Sequence, residues 1–558
     1  MDNLEDLIRK HAIANCLKYG KADPKAVFGQ ILAAMPDARK NAAQVSKQVE
    51  EIVSEINSMS EDVLKSYGIE AKKAHEERIP ELVLKEVPKP LIMRFAPNPN
   101  GPATLGSARG MVVNSVLAKK YGGKYILRFD DTDPKTKKPM LSAYTQYVED
   151  CNWLTASPDE IFYASDRIGK YYEYAEKLME LGGAYVCLCP KEGFKKLKDA
   201  GEACPDRDRN PNENIQLWKA MLKGKYKDGE AVLRIKTDIS YKDPAMRDWV
   251  AFRIIDEEHP RVGMKYIVWP MLDFESAIED HLLGTTLIIR GVDLADSEGR
   301  QKYVYNYLGW EYPMTLHWGR IGIEEFGKFS TSMIKKAIAE GQYTGWDDPR
   351  LPTIMAVRRR GITPEALRKV MISLGLGEND VSISMETIYA ENRKILDAKV
   401  NRYFFVEEPV PLAIKGAPET LAKMPLHPSF KDRGAREYLL KPSPTGIVQV
   451  YVSKKDASEL ADREVIRLMN YCNVEIKKGA DGGITAEYLP GKLLDVKKIQ
   501  WVTEYVEAEL VTPDGTVSGF CEKACETLTV NDIVQFERVG FARLDSKDKK
   551  LVYYYGHR

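Results

Sequence analysis

The sequence has no net charge, no long apolar run, no internal repeat, no low-complexity tract and few cysteines, and each absence excludes something. Its 82 lysines and arginines are matched by 82 aspartates and glutamates, so the chain is not the strongly basic particle that non-specific nucleic-acid binders tend to be. Any RNA contact has to come from local patches. No stretch approaches the roughly 20 apolar residues with which a helix spans a bilayer. The segment from Met1 to Lys10 is acidic and helical in pattern rather than signal-like, and a cytoplasmic location is the expectation. The 8 cysteines, at positions 16, 151, 187, 189, 204, 472, 521 and 525, are too sparse for a disulfide scaffold and are read as reduced thiols.

What is present is an ordinary globular balance, 44% hydrophobic and 29% charged, spread over 558 residues. A chain of that length does not close over one core, and roughly three to five domains are expected. From Asp2 to about His75 apolar residues such as Leu4, Leu7, Ile8, Ile13 and Leu17 recur at helical spacing, which predicts a helical appendage over 1–80. Pro80, Pro88 and Pro90 then break the pattern as a linker.

Leu91 to Phe95 is a short apolar run suited to a buried strand. A loop rich in proline, asparagine and glycine follows, then a helical stretch from about Ala108 to Tyr121, a Gly122-Gly123 stop and a second strand from Lys124 to Phe129. A glycine-bearing loop at the carboxyl end of such a strand is where open parallel sheets bind nucleotides. Thr286 to Arg290 reads as a further buried strand entering a polar loop. This order fits a Rossmann-type catalytic domain split into 90–165 and 267–332 by an insertion at 166–266. A helical, cation-rich connecting domain is expected at 333–400. From 401 to 558 the pattern changes to short alternating runs, among them Ile447 to Val452 and Leu551 to Tyr555, which predict β-barrels. The fold class is therefore multidomain α/β.

The most informative stretch is Arg94-Phe95-Ala96-Pro97-Asn98-Pro99-Asn100-Gly101-Pro102-Ala103-Thr104-Leu105-Gly106-Ser107. Small residues let a backbone approach a nucleotide, and the helix start behind them favours phosphate. The stretch resembles the first signature of the class I glutamyl- and glutaminyl-tRNA synthetases, in which Arg-Phe-x-Pro-x-Pro-x-Gly precedes His-Ile-Gly-His. Thr104 and Ser107 stand at the two histidine positions; their hydroxyls donate hydrogen bonds but bring no charge. Gly327-Lys328-Phe329-Ser330-Thr331-Ser332 resembles the second signature, Lys-Met-Ser-Lys-Ser, with Thr331 at the second lysine. The string Gly345-Trp346-Asp347-Asp348-Pro349-Arg350-Leu351-Pro352-Thr353 closely resembles the archaeal and eukaryotic branch. On these strings the chain is identified as a member of the archaeal-type glutamyl-tRNA synthetase family.

The resemblance implies a ligase that forms glutamyl-adenylate from glutamate and ATP, with Mg²⁺ carried by ATP, and transfers glutamate to the terminal adenosine of the glutamate tRNA. The glutamine tRNA stays open as a second acceptor, and a monomer is the family expectation. Thr104, Ser107 and Lys328 are the expected catalytic residues, with Lys335 or Lys336 adding charge. ATP is expected at Pro97, Asn98, Pro99, Gly101, Leu105, Gly106, Lys328, Phe329, Ser330, Thr331 and Ser332. Glutamate is expected at Arg94, Asp130 and Arg290: Asp130, in Arg128-Phe129-Asp130-Asp131-Thr132-Asp133-Pro134, meets the ammonium group, and Arg290 reads the side-chain carboxylate in bidentate fashion. Leu272 replaces a tyrosine that many relatives place beside the substrate. Arg358, Arg359 and Arg360 are expected to contact tRNA phosphates. Cys187, Cys189 and Cys204 lack a nearby fourth cysteine or histidine, so buried thiols are expected there rather than structural zinc; Cys521 and Cys525 have no partner pair. Two rivals remain: a glutaminyl enzyme, which Arg290 disfavours, and a catalytically weakened paralogue that only binds tRNA, which the altered signatures allow.

Overall fold

The computed structural model describes residues 4–19, 22–35, 41–59, 63–64, 67, 81–327, 331–479 and 483–558. The chain divides into two compact units, Met1–Glu81 and Leu82–Arg558. In the first, helices Leu4–Tyr19, Pro24–Ala34 and Ala42–Asn57 enclose Ile8, Ile13, Val27, Ile31, Val49 and Val53. This is the small core that the helical spacing of apolar residues prescribes.

The second unit opens with β1 (Ile92–Phe95), β2 (Lys124–Phe129) and β3 (Glu160–Tyr163). The chain then leaves the sheet for β4 (Ala184–Cys187), β5 (Val232–Ile235), β6 (Val250–Ile254) and β7 (Val268–Pro270), which form a separate antiparallel sheet. Trp218, Phe252 and Trp269 lie in the apolar core of that insertion. It returns as β8 (Leu287–Gly291) and β9 (Met314–Trp318), giving a five-stranded parallel sheet in the order β3-β2-β1-β8-β9. Strand order reverses between β1 and β8, and at such a switch point the following loops part and leave a crevice at the carboxyl edge. Arg94 is next to last in β1 and Arg290 next to last in β8, so both reach that crevice.

Beyond β9, helices Thr331–Ala339, Ile354–Arg359, Pro364–Ser373 and Met385–Asp397 form the connecting region. A seven-stranded sheet follows whose two edges are strands Arg402–Tyr403 and Phe405–Glu407. Only Phe404 separates these edges in sequence, so the sheet must curl round until they meet. The six-stranded sheet is drawn together in the same way by a bridge from Tyr451, in one edge strand, to Val502, just past the other. Curling removes the open edges that a flat sheet would expose. Among the described residues no helix is long and apolar enough to cross a membrane.

Candidate active site

A chain of buried charges underlies the crevice, and two of its members, Arg94 and Asp130, line it. Arg94 donates from Nε and Nη2 to the Asp280 carboxylate at 3.0 and 3.1 Å. Arg128, at the end of β2, reaches the same carboxylate through Nη1 at 2.7 Å. It also grips Asp130 through Nε at 2.6 Å and Nη2 at 3.1 Å. Asp280 comes from helix Leu272–Leu282, which leads from the insertion back into the sheet. Burial alone would push its carboxyl up, but Arg94 and then Arg128 override that and hold it well below the usual carboxylate range.

Arg290 is treated differently. Its Nη2 donates to Gln301 Oε1 at 3.1 Å and approaches the Tyr312 hydroxyl at 3.2 Å, while Nε is buried with no partner. No carboxylate of the described residues pairs with it, although it is only 6% exposed. Burial, and next the Arg94 charge, push this guanidinium down, but an arginine stays charged in proteins. A buried cation without a counter-ion, aimed into a cavity, is a seat for an anion. The cavity has a volume of about 560 Å³, with Arg94, Asp130, Leu272 and Arg290 among its lining residues.

A second cavity of about 500 Å³ shares Asn98, Thr104 and Gly106 with the first. Pro97 and Ser107 line only the first, and Leu105, Thr331 and Ser332 only the second. Thr104 caps helix Leu105–Lys120, and Ser107 Oγ accepts its N–H at 3.4 Å. Both hydroxyls therefore sit at a helix start, where the backbone itself favours negative charge. The loop is held from outside: Leu105 N donates to Pro352 O at 2.9 Å and Ile354 N to Ala103 O at 3.0 Å. The Trp346 to Thr353 string is thus the brace of the first signature. Pro99 and Gly101 line neither cavity. Pro99 O accepts Met140 N at 2.8 Å, and a side chain at Gly101 would strike Thr331 and the Trp346 ring, so these two residues shape the loop instead. Lys328, Phe329 and Ser330 lie outside the described residues.

Residues 90–398 match the family model for the catalytic domain of class I (E and Q) tRNA synthetases. Residues 400–490 and 491–545 match two anti-codon binding domains of the same class. The chain is 51% identical to a glutamate–tRNA ligase of Methanosarcina mazei, across 99% of this chain and 98% of that protein. It is 49% identical to one of Archaeoglobus fulgidus (99% of this chain and all of that protein) and 45% identical to one of Pyrococcus furiosus over the full length of both. The chain belongs to the class I (E and Q) tRNA synthetases.

One expectation for this synthetase needs correction. Arg360 is buried, and its guanidinium donates to Tyr555 O at 3.1 Å, Gly556 O at 2.6 Å and the Tyr389 hydroxyl at 2.7 Å. Arg359 is committed to Asp347 at 2.8 Å and to Asp545 at 2.7 Å. Both are committed to the joint between the connecting helices and the seven-stranded sheet. Only Arg358 stays exposed, with its guanidinium 6.0 Å from the Trp153 ring. Replacing Arg360 by methionine removes three hydrogen bonds from this joint, and a loss of about 3 kcal/mol is expected in a denaturant titration. The salt dependence of tRNA binding should stay as it was, because no phosphate contact is lost.

The cysteine cluster has a further donor beside it. Cys187 and Cys204 sulfurs lie 3.6 Å apart, Cys189 and Cys204 2.9 Å, and Asp206 Oδ2 is 3.5 Å from Cys189 Sγ. All four donor atoms lie within 4.8 Å of one another, so this set could hold a tetrahedral metal ion such as zinc. The fourth donor missing from a count of cysteines and histidines is a carboxylate two residues past the last thiol. Cys521 and Cys525 are buried free thiols in the core of the seven-stranded sheet.

Proposed function

We propose that this chain is a glutamate–tRNA ligase, activating glutamate with ATP and passing it to the 3′-terminal adenosine of a glutamate tRNA. The observation that carries the choice of amino acid is Arg290, buried and without a counter-ion in the crevice at the sheet's switch point. Glutamate supplies the missing charge in its side chain and glutamine does not. The archaeal relatives carry the same activity in their names.

Asp130, held rigid by Arg128, accepts the substrate ammonium; Arg94, with Nε and Nη2 committed to Asp280, keeps Nη1 for the α-carboxylate. ATP, entering as its magnesium complex, spans the second cavity. There the Thr104 and Ser107 hydroxyls and the helix start behind them meet phosphate oxygens. Lys328 is assigned to the same phosphates by its place in the second signature. No side chain is required as an obligate base; catalysis is orientation and charge stabilisation. The adenylate is then attacked by a ribose hydroxyl of the tRNA end.

Aminoacylation with purified glutamate and glutamine tRNAs tests this. Glutamate is expected on the glutamate tRNA, and glutamine is expected on neither. Charging of both tRNAs with glutamate would mark relaxed acceptor choice. Complete absence of glutamate-dependent exchange between ATP and pyrophosphate, with tRNA present, would sink the ligase reading in favour of a tRNA-binding paralogue.

A further inference from the structure

Both signatures have lost cations that would face the triphosphate. Thr104 and Ser107 stand at the histidines and Thr331 at the second lysine. Among the described residues lining the second cavity there is one cation, and it belongs to neither signature: Lys137. We propose that Lys137 is a catalytic residue that contacts the β- and γ-phosphates and takes over the charge of the lost signature lysine. The inference rests on the ligase reading above.

The loop that carries Lys137 is built to place it. Asp133 Oδ1 accepts the N–H groups of Lys135 and Thr136 at 3.0 and 2.8 Å, which folds the chain back after Pro134. Asp133 is itself tied to Arg253 at 3.2 Å, and Lys135 Nζ is paired with Asp228 at 2.8 Å. The far end is anchored through Met140 N to Pro99 O at 2.8 Å, on the first signature loop. Between these anchors Lys137 is exposed and has no hydrogen-bond or ion-pair partner among the described residues. Thr331 and Ser332, at the start of a helix with no acidic residue in its first turn, line the same cavity.

The surroundings point the same way. A further hollow of about 340 Å³ shares Asn100, Thr136 and Ser332 with this cavity and is lined by Lys135, Lys138, Lys335 and Lys336. No aspartate or glutamate is among the described residues lining either space. In adenylate formation a glutamate α-carboxylate oxygen bonds to the α-phosphorus. The bond from that phosphorus to the α,β-bridging oxygen breaks, and pyrophosphate leaves with the electron pair. Negative charge grows on the β-phosphate as the bond opens, so a cation there lowers the barrier more than it tightens binding. Lys138, Lys335 and Lys336 then mark the outward path of the pyrophosphate.

The test is Lys137→Met beside Lys137→Arg, in tRNA-dependent exchange of pyrophosphate into ATP on the full chain. Lys137→Met is expected to lower kcat about 100-fold, the usual scale for losing one transition-state donor, with the KM for glutamate unchanged and the KM for ATP within about threefold. In aminoacylation, inhibition by added pyrophosphate should weaken, and Lys137→Arg should recover kcat to within about tenfold of the native protein. A Lys137→Met variant with native kcat, while the native protein is active, overturns the inference alone. So does a loss that appears only in the KM for glutamate, or one that arginine does not rescue. A native protein without glutamate-dependent exchange overturns the ligase reading, and this inference with it.

Discussion

Replacing Arg290 by methionine is expected to lower kcat/KM for glutamate about a thousandfold while leaving the protein at least as stable as before. The first half follows from what the guanidinium meets. Truncating one partner of a buried, hydrogen-bonded charge pair costs about 2–5 kcal/mol, and a thousandfold is about 4 kcal/mol. The second half follows from what it does not meet. Without substrate Arg290 has Gln301 and Tyr312 but no carboxylate, and an unpaired buried charge is a burden on the fold. Methionine fills similar space without that burden. Activity with glutamine should change by only a few-fold, so the preference for glutamate should collapse with it. Thermal melting and steady-state kinetics on the same preparation decide the matter; a variant that still prefers glutamate by the native factor would remove Arg290 from the reading of the side chain.

The opposite outcome is expected at Asp280. Its carboxylate receives three hydrogen bonds from Arg94 and Arg128, so Asp280→Asn leaves two buried guanidiniums facing a neutral amide. A loss of about 3–5 kcal/mol is expected for the unfolding transition of the catalytic region. The pH dependence has a definite sign. The folded-state pKa of Asp280 is depressed, so its contribution is present in full above the unfolded value of about 3.9 and is lost as pH falls through the lower, folded value. Native protein should therefore lose stability on acidification more steeply than the variant, and the gap between them should narrow below about pH 4. A variant within about 1 kcal/mol of native at pH 7 would show that Asp280 is not the hub of the buried charges.

How far the sequence disclosed this arrangement depends on the kind of signal. The strand, loop, helix and strand from Leu91 to Phe129 were legible because apolar runs, prolines and paired glycines each force local geometry, and the structure puts β1, the capped helix and β2 there. Arg94, Asp130 and Arg290 meet in one cavity because each sits at the carboxyl end of a strand of one sheet, a placement the motifs carried with them. Asp280 had no such signal: its importance comes from two arginines 186 and 152 residues away, a separation that no local pattern spans. Lys137 was hidden because a lysine in a charged turn looks the same whether it faces solvent or a cavity. Asp206 was hidden because an aspartate in a charged, polar stretch carries no mark that sets it apart as a metal donor. The run Arg358-Arg359-Arg360 misled for a related reason. Three consecutive guanidiniums look alike in sequence, but helix geometry sends them different ways, one outward and two into the joint with the seven-stranded sheet.

The unpaired guanidinium in the crevice also bears on how the protein ought to be handled and stored. A fold that keeps one buried charge without its complement is finished by its own substrate, so glutamate acts as a removable piece of the core. Glutamate, and a non-reactive analogue keeping both carboxylates, should then raise the melting temperature, by about 2.7 kcal/mol of stabilisation at a hundred times the dissociation constant. At equal concentration glutamine, whose side chain brings no charge to Arg290, should protect far less.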